Sequence, residues 1–360
     1  MKEVTFVPYW RFKGTVFSCK GYKIDQRIID TSFIASPLQL LPRSLGLRPQ
    51  ALKLKFVSPE MEGQFIKRQI PFKSVISFVE KQMYATTTSG DKNPIHHQAF
   101  IGETLSIIYT PILIRDKVYD GILNRPIGTF PKNEDNNSLS IDHHQNWQTT
   151  FIPTLCPYCG WDLDGEKDSL VLFCKNCASA WKSSKIGFQK VDFAIIANND
   201  DNVNYLPFWR MRSQIEGLQI QSYADLVRVA NLPKAIRKEW EDREFFFWAP
   251  AFKVKPTLFI RLARQMTIFQ PQTQFEKSPP RSTFHPVTLP RSEAMQSIKV
   301  TLASLANAKQ RIFPLLSEID IILSEILLVY FPFILKGSEF IQPSLQFSIN
   351  KNSLYFGRNL

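Results

Sequence analysis

The sequence has no Gly-rich phosphate loop, no dinucleotide fingerprint and no nucleophile elbow, so the chemistries that leave a local signature find none here. The nearest candidates, "LPRSLGLRP" and "GTFPKNED", lack the glycine density to cradle a phosphate. Scattered acids such as Glu103, Asp116 and Asp120 have no readable pairing for acid–base work. Blocks of consecutive Lys or Arg are missing too, which removes the usual mark of a nucleic-acid-binding arm. The opening stretch "MKEVTFVPYW" carries an acid at Glu3 and no apolar core, so no secretory leader is expected. The most apolar stretch, Ile319–Leu335, contains Asp320, Glu325 and a proline. Beyond Glu325 only ten residues run without a charge, about half of what a bilayer crossing needs. It reads as a buried strand or helix, and no membrane span is expected. With no export signal and cysteines that look metal-bound, the expected location is cytoplasmic.

What is present is enough apolar material for real cores: 44% hydrophobic residues and 29 phenylalanines in 360 residues, a length that suggests two or three domains. The net charge of +12 is unevenly spread. Residues 1–150 carry 19 Lys/Arg against 13 Asp/Glu, residues 151–200 carry 5 against 6, and residues 201–360 carry 20 against 13. Such a balance is compatible with phosphate-rich partners and does not require them.

Along the chain, "TFVPYWRFKG", "ALKLKFVSP" and "ETLSIIYTPILIRDKVYDGIL" read as strands bounded by Pro and Gly. Between the last two, Phe72–Thr87 has apolar residues near helical spacing. Pro131–Thr150 and Ala197–Asn204 are polar breaks. Further on, Ser222 and Asp225 suit the start of a helix over "SYADLVRVAN". Pro233 opens a second expected helix, "LPKAIRKEWEDREF". Ser292 caps a third, in which Met295, Ile298, Leu302, Leu305 and Ala306 form one apolar face.

One octapeptide is written twice: "FVPYWRFK" at Phe6–Lys13 and "YLPFWRMR" at Tyr205–Arg212. Two weaker echoes keep the same order. "LRPQALKL" (Leu47–Leu54) resembles "VKPTLFIRL" (Val254–Leu262), and "YTPILI" (Tyr109–Ile114) resembles "YFPFIL" (Tyr330–Leu335). Three echoes in order favour divergent duplication. The expected fold class is therefore α+β: two related β-rich halves with packed helices, at residues 1–130 and 205–360. A linker at 131–153 and a small cysteine segment at 154–190 lie between them. On a strand, Pro8, Trp10 and Phe12 share one face and Tyr9, Arg11 and Lys13 the other; Phe208, Arg210 and Arg212 repeat the second face. That face reads either as a platform that stacks a base and grips phosphates or as half-buried sheet with solvated arginines.

The firmest chemistry lies in "CPYCGWDLDGEKDSLVLFCKNCASAW". Cys156 and Cys159 form one C-x2-C pair, Cys174 and Cys177 another. Four thiolates suit a tetrahedral ion of borderline softness, zinc first among them. Gly160 supplies the permissive backbone a tight turn after Cys159 wants, whereas Ala178 stands where glycine is common. A redox dithiol, two disulfides or a four-thiolate iron centre use the same residue types. "SLVLFC" reads as a strand entering the second turn and "ASAWKSSKIGF" as its partner, and Cys19 stands apart as a small buried hydrophobe.

This segment, Thr154 to Lys190, resembles the zinc ribbon class through its C-P-x-C-G knuckle and paired C-x2-C. The P-F-W-R element beside it is similar to stretches in uncharacterised bacterial zinc-ribbon proteins. The resemblance implies a structural zinc. It implies a role in protein contacts, nucleic-acid binding or support without choosing among them. Four of the five histidines form two "HHQ" tripeptides, His96-His97 and His143-His144. Should their loops meet, they and Asp142 offer a second metal or acid–base site; as surface loop residues they offer none. The expectation from sequence is a non-enzymatic scaffold or adaptor that binds a macromolecule, protein ahead of nucleic acid.

Overall fold

Aromatic and β-branched runs dominate the chain, and strands dominate the result. A computed structural model describes residues 4–58, 60–71, 74, 77, 93–129, 152–184, 187–198, 203–218, 220–271, 275–276, 283–345 and 347–358. Their strands are β1 (Val4–Lys20), β2 (Lys23–Ile34), β3 (Gln64–Phe65), β4 (Ile95–Ile114), β5 (Val118–Asp120) and β6 (Pro126–Gly128), with a one-turn helix α1 (Arg48–Ala51) after β2. Next come β7 (Leu163–Asp164), β8 (Leu172–Cys174), β9 (Ser179–Ser184), β10 (Gly187–Val191), β11 (Phe193–Ile196) and β12 (Val203–Glu216). Helix α2 (Tyr223–Ala230), β13 (Phe247–Pro250), α3 (Pro256–Phe269), β14 (Phe275–Glu276), β15 (Thr283–Phe284), α4 (Arg291–Leu305) and α5 (Lys309–Leu315) follow. The chain ends with β16 (Asp320–Lys336), β17 (Glu339–Gln342), β18 (Phe347–Asn350) and α6 (Lys351–Gly357). This is a β-rich α+β fold. Among the described residues, no helix is long and apolar enough to cross a membrane.

The described residues form two compact units that interleave along the chain. The first draws on Met1–Gly14, Ile29–Lys92 and Glu103–Phe151, the second on Thr15–Ile28, Asn93–Gly102 and Ile152–Leu360. The cysteine segment thus falls in the second unit, as do two short stretches near the amino end.

In the first unit, β3 lies parallel to β1 with Phe6 opposite Phe65. Their rings stack at 4.7 Å, and Tyr109 of β4 meets Phe65 edge-on at 5.1 Å. The Trp10 indole donates to the Ile70 carbonyl at 2.8 Å. The Ala35 amide donates to the Pro8 carbonyl at 2.9 Å, and the Ala35 carbonyl accepts from the amides of Gln69 and Ile70. Val7, Tyr9, Leu41, Ile66, Ile112 and Val118 form its core.

In the second unit an eight-stranded sheet runs β13-β12-β16-β11-β14, with β15 beside β12 and β17 and β18 continuing from β16. β12 and β16 pair antiparallel from Val203–Ile334 to Glu216–Asp320, with an irregularity between Arg212 and Ser213. β15 runs parallel to β12 with Tyr205 opposite Phe284. Those rings stack at 5.2 Å, and Tyr330 meets Phe284 edge-on at 5.0 Å. The Trp209 indole donates to the Leu289 carbonyl at 2.9 Å. The Ala251 amide donates to the Pro207 carbonyl at 3.0 Å, and the Ala251 carbonyl accepts from Thr288 and Leu289. α3 packs on β13 and α4 through Leu262, Ala263, Met266, Ala294, Ile298 and Leu302, all fully buried.

Several expectations need correction. "ALKLKFVSP" forms no strand: Leu52, Leu54 and Phe56 are exposed, and nothing fixes their pairing. The helix expected after Pro233 reduces to a 3₁₀ turn at Lys238–Trp240. Its residues are exposed on nearly every side, and a short helix without a buried stripe is marginal. Ser292 is not the cap of α4, which begins at Arg291 after Pro290 and stops before Ala306; Met295 is exposed rather than part of the buried face. The helix over Phe72–Thr87 falls largely outside the described residues, as do His143, His144 and most of the 131–153 linker.

Candidate metal centre

Two C-x2-C pairs become two tight turns, and short strands carry them. The first turn closes with the Gly160 amide donating to the Cys156 carbonyl at 2.9 Å, while the Cys156 amide reaches the Trp161 carbonyl at 2.7 Å. Gly160 has φ +73°, in the left-handed region that glycine enters without a Cβ penalty. The second turn follows β8 and ends at Ala178, whose φ is +50°. The chain then enters β9, and β7, β8, β9 and β10 form one four-stranded antiparallel sheet. The strands expected on either side of the second turn are therefore β8 and β9.

This arrangement brings all four sulfurs together. The Sγ atoms of Cys156 and Cys177 are 3.6 Å apart, those of Cys159 and Cys174 3.4 Å, and all four lie within 4.8 Å of one another. A disulfide needs sulfurs about 2.0 Å apart, and all four cysteines are free thiols. Four sulfurs at about 2.3 Å from a tetrahedral zinc are about 3.8 Å from one another. The donor set therefore fits a thiolate-bound ion, zinc included.

The surroundings already favour charge on part of the set. Burial resists ionisation of Cys156, but hydrogen bonds from the Cys159 and Tyr158 amides and from Ser179 prevail and bring its thiol down to about 6. Asn176 and the Trp161 amide lower that of Cys159. Burial pushes Cys174 up to about 12.

Sequence reading missed Ser179. Its hydroxyl lies 3.0 Å from the Cys177 sulfur and 3.6 Å from that of Cys156, and it accepts the Trp181 indole N–H at 2.7 Å. Trp181 in turn packs with Cys156, Leu163 and Cys174 in a small core of their own. The only signal was a hydroxyl two residues past the last cysteine.

The aromatic–arginine faces turn out differently from a stacking platform. Tyr9 and Phe208 are 1% and 0% exposed, so neither ring is offered to a ligand. The Tyr9 hydroxyl donates to the Pro42 carbonyl at 2.8 Å. Arg11 holds Asp30 through two hydrogen bonds of 2.8 and 2.7 Å, and Lys13 is half-buried. Arg210 sits 4.0 Å over the Phe246 ring and pairs with Glu325; Arg212 is exposed and pairs with Glu244. Both octapeptides are strands paired on either side, and Phe6–Trp10 and Tyr205–Trp209 are buried without alternation, so both faces of these stretches are covered by packing. Alternating burial appears only from Arg210 onward in β12.

His96 and His97 lie in β4, not in a loop. His97 is partly buried, its Nε2 has no partner among the described residues, and burial lowers its pKa to about 4. Asp120, unpaired in the sequence reading, binds Arg48 and accepts the amides of Ile122 and Leu123. Compared with protein-family models, with curated proteins and with solved structures, the chain matches none.

Proposed function

We propose that this chain is a non-enzymatic adaptor in which a zinc ribbon presents a docking surface for a protein partner. The observation that carries it is exposure on the first knuckle. Leu155, Tyr158 and Trp161 are 49%, 79% and 60% exposed, within seven residues that two metal ligands punctuate. Large aromatic side chains held on a rigid turn are what protein interfaces use as anchors, and a metal supplies that rigidity to a segment whose own core is small. Zinc bound there is structural, because four thiolates fill its coordination shell and leave no position for a reacting water. The surrounding residues 151–200 carry 5 Lys/Arg against 6 Asp/Glu, a balance that does not attract phosphates.

Divergent duplication of the two units is part of the same reading. In each, a tryptophan of the octapeptide donates to the carbonyl of a residue whose own amide binds an alanine carbonyl, and that alanine's amide binds the octapeptide proline. In each, an aromatic opens the octapeptide, stacks on a phenylalanine of a parallel two-residue strand, and that ring meets a tyrosine edge-on. The tyrosines are those of the "YTPILI" and "YFPFIL" echoes. Five residues before each alanine stands a side chain in contact with the octapeptide arginine, the acid Asp30 for Arg11 and the ring of Phe246 for Arg210, whose acid is Glu325. Chance offers no reason for so many contacts to recur in one order.

The test is capture of partners from the native host on tagged chain, with and without nuclease. Wild type is compared with a Tyr158→Ala/Trp161→Ala variant whose zinc content is measured. Nuclease-resistant proteins held by wild type and lost by the variant at unchanged zinc content support the reading. Capture that nuclease abolishes, or that the variant retains in full, overturns it.

A further inference from the structure

The stretch "ALKLKFVSP" has the alternation of a strand, and the fold leaves it uncovered. Helix α1 stops after one turn, and Leu52 turns extended at φ −100°, ψ 143°. From Lys53 to Val57 the backbone makes no hydrogen bond to another backbone group among the described residues. Leu47, Leu52, Leu54 and Phe56 are exposed, Phe56 over its whole side chain. Lone exposed apolar residues are ordinary, but four within ten residues make a patch of the kind that marks a contact surface. The echo of this stretch shows it covered: Val254–Leu262 runs into α3 and buries Phe259 and Leu262.

The charge beside this patch is of one sign. Between Thr31 and Pro59 the chain has four Lys or Arg and no Asp or Glu. Arg48 is taken by Asp120, whereas Arg43, Lys53 and Lys55 are exposed and have no ion pair among the described residues.

The cysteine knuckle offers the complement on both counts. Leu155, Tyr158 and Trp161 are its exposed apolar side chains. Asp162 follows them, exposed and without an ion pair among the described residues. Residues 154–170 hold four acids against one lysine. Nucleic acid would match the cations of the first patch but not the apolar side chains between them. The knuckle matches both, as a partner surface with an apolar centre and a rim of opposite charge does.

We infer that the knuckle's partner is a second copy of this chain: Leu52, Leu54 and Phe56 of one protomer pack on Leu155, Tyr158 and Trp161 of its partner, with Arg43, Lys53 and Lys55 matched to the acids that follow Trp161. The inference rests on the knuckle docking a protein, and it names that protein. Two different surfaces meet, so the contact is heterologous and either closes into a ring or propagates from copy to copy.

The experiment is sedimentation velocity with light scattering on the full zinc-loaded chain, over rising concentration and at low and high salt. Wild type should form dimers or larger assemblies, and salt should weaken them. Leu54→Ala/Phe56→Ala and Tyr158→Ala/Trp161→Ala, each checked for zinc content and melting temperature, should each weaken self-association at least about tenfold. Mixed together, the two variants should form a one-to-one pair where neither associates alone, because each keeps the surface the other has lost. Wild type that stays monomeric at every concentration overturns the inference, as does a double variant that associates as wild type does or a mixture that stays monomeric. A monomer that binds phosphatidylserine vesicles or a single-stranded oligonucleotide through Phe56 overturns it too, and assigns the basic patch to that partner. A monomer that still captures a host protein through Tyr158 and Trp161 overturns this inference alone and leaves the docking surface standing.

Discussion

Ala178 holds a left-handed backbone, φ +50°, at the end of the second cysteine turn. Its Cβ is strained there, and glycine removes the strain. Ala178→Gly should therefore raise the stability of the zinc-loaded protein by about 1 kcal/mol in urea unfolding; a loss of stability would mean that the turn tolerates its alanine. Ser179 is the opposite case. Ser179→Ala leaves the Trp181 indole without its acceptor and takes a hydrogen bond from Cys177. The expected outcome is a loss of about 1–3 kcal/mol together with zinc affinity weakened about tenfold or more, read by competition with a chromophoric chelator. Cys156→Ser should abolish stoichiometric zinc in elemental analysis, and undiminished zinc would place the ion elsewhere. Two histidines set an acid limit on the fold. His97 and His285 stay neutral when folded, with pKa values lowered by burial from 6.5 to about 4. Between those values the unfolded chain binds protons that the native protein does not, so stability is full above pH 6.5 and falls as the pH drops towards 4. Each contributes a slope of about 1 kcal/mol per pH unit in that window, and replacing either by an uncharged residue should flatten the urea-midpoint profile there.

At the scale of elements, local chemistry was readable and lateral neighbours were not. The start of α2 was evident from Ser222 and Asp225 alone, and the structure shows the reciprocal pair: the Ser222 hydroxyl accepts from the Asp225 amide while the Asp225 carboxylate accepts from Ser222. Ser222→Ala should cost about 1 kcal/mol, with faster amide exchange confined to Tyr223–Ala230. The cysteine turns were readable for the same reason, since spacing alone places the sulfurs. The octapeptides were not. Their two-residue period separates two faces, but whether a face is open depends on what packs over it from elsewhere in the chain, and Tyr9 and Phe208, on the face read as a platform, lie in the cores. The Pro233 helix failed because a first-turn proline suggested it while most of its residues stay exposed. The acid that holds Arg11 was invisible because Asp30 belongs to a different strand.

For the whole molecule, the aromatic and β-branched runs indicated a β-rich α+β chain, and the echoes are the sequence signal on which the proposed duplication rests. The interleaving left no trace in composition, because residues 15–28 and 93–102 look like their neighbours. Phe17, Cys19, Ala99 and Ile101 nevertheless belong to the same core cluster as Phe208, Leu262 and Tyr330. A fragment of residues 152–360 should therefore fail to fold as a native unit, giving a poorly dispersed NMR spectrum and rapid proteolysis. Sharp, dispersed signals from that fragment would show that the amino-terminal stretches are dispensable.

The second unit needs both β16, near the carboxyl end, and residues 15–28, near the amino end. A ribosome must therefore deliver the chain from residue 15 through β16 before that core can close. Until then the nascent chain carries Phe17 and Cys19 without the core residues that cover them in the folded unit. The cysteine turns escape this delay. Cys156 and Cys177 are close in sequence, so they can capture their ion while the last third of the protein is still being translated.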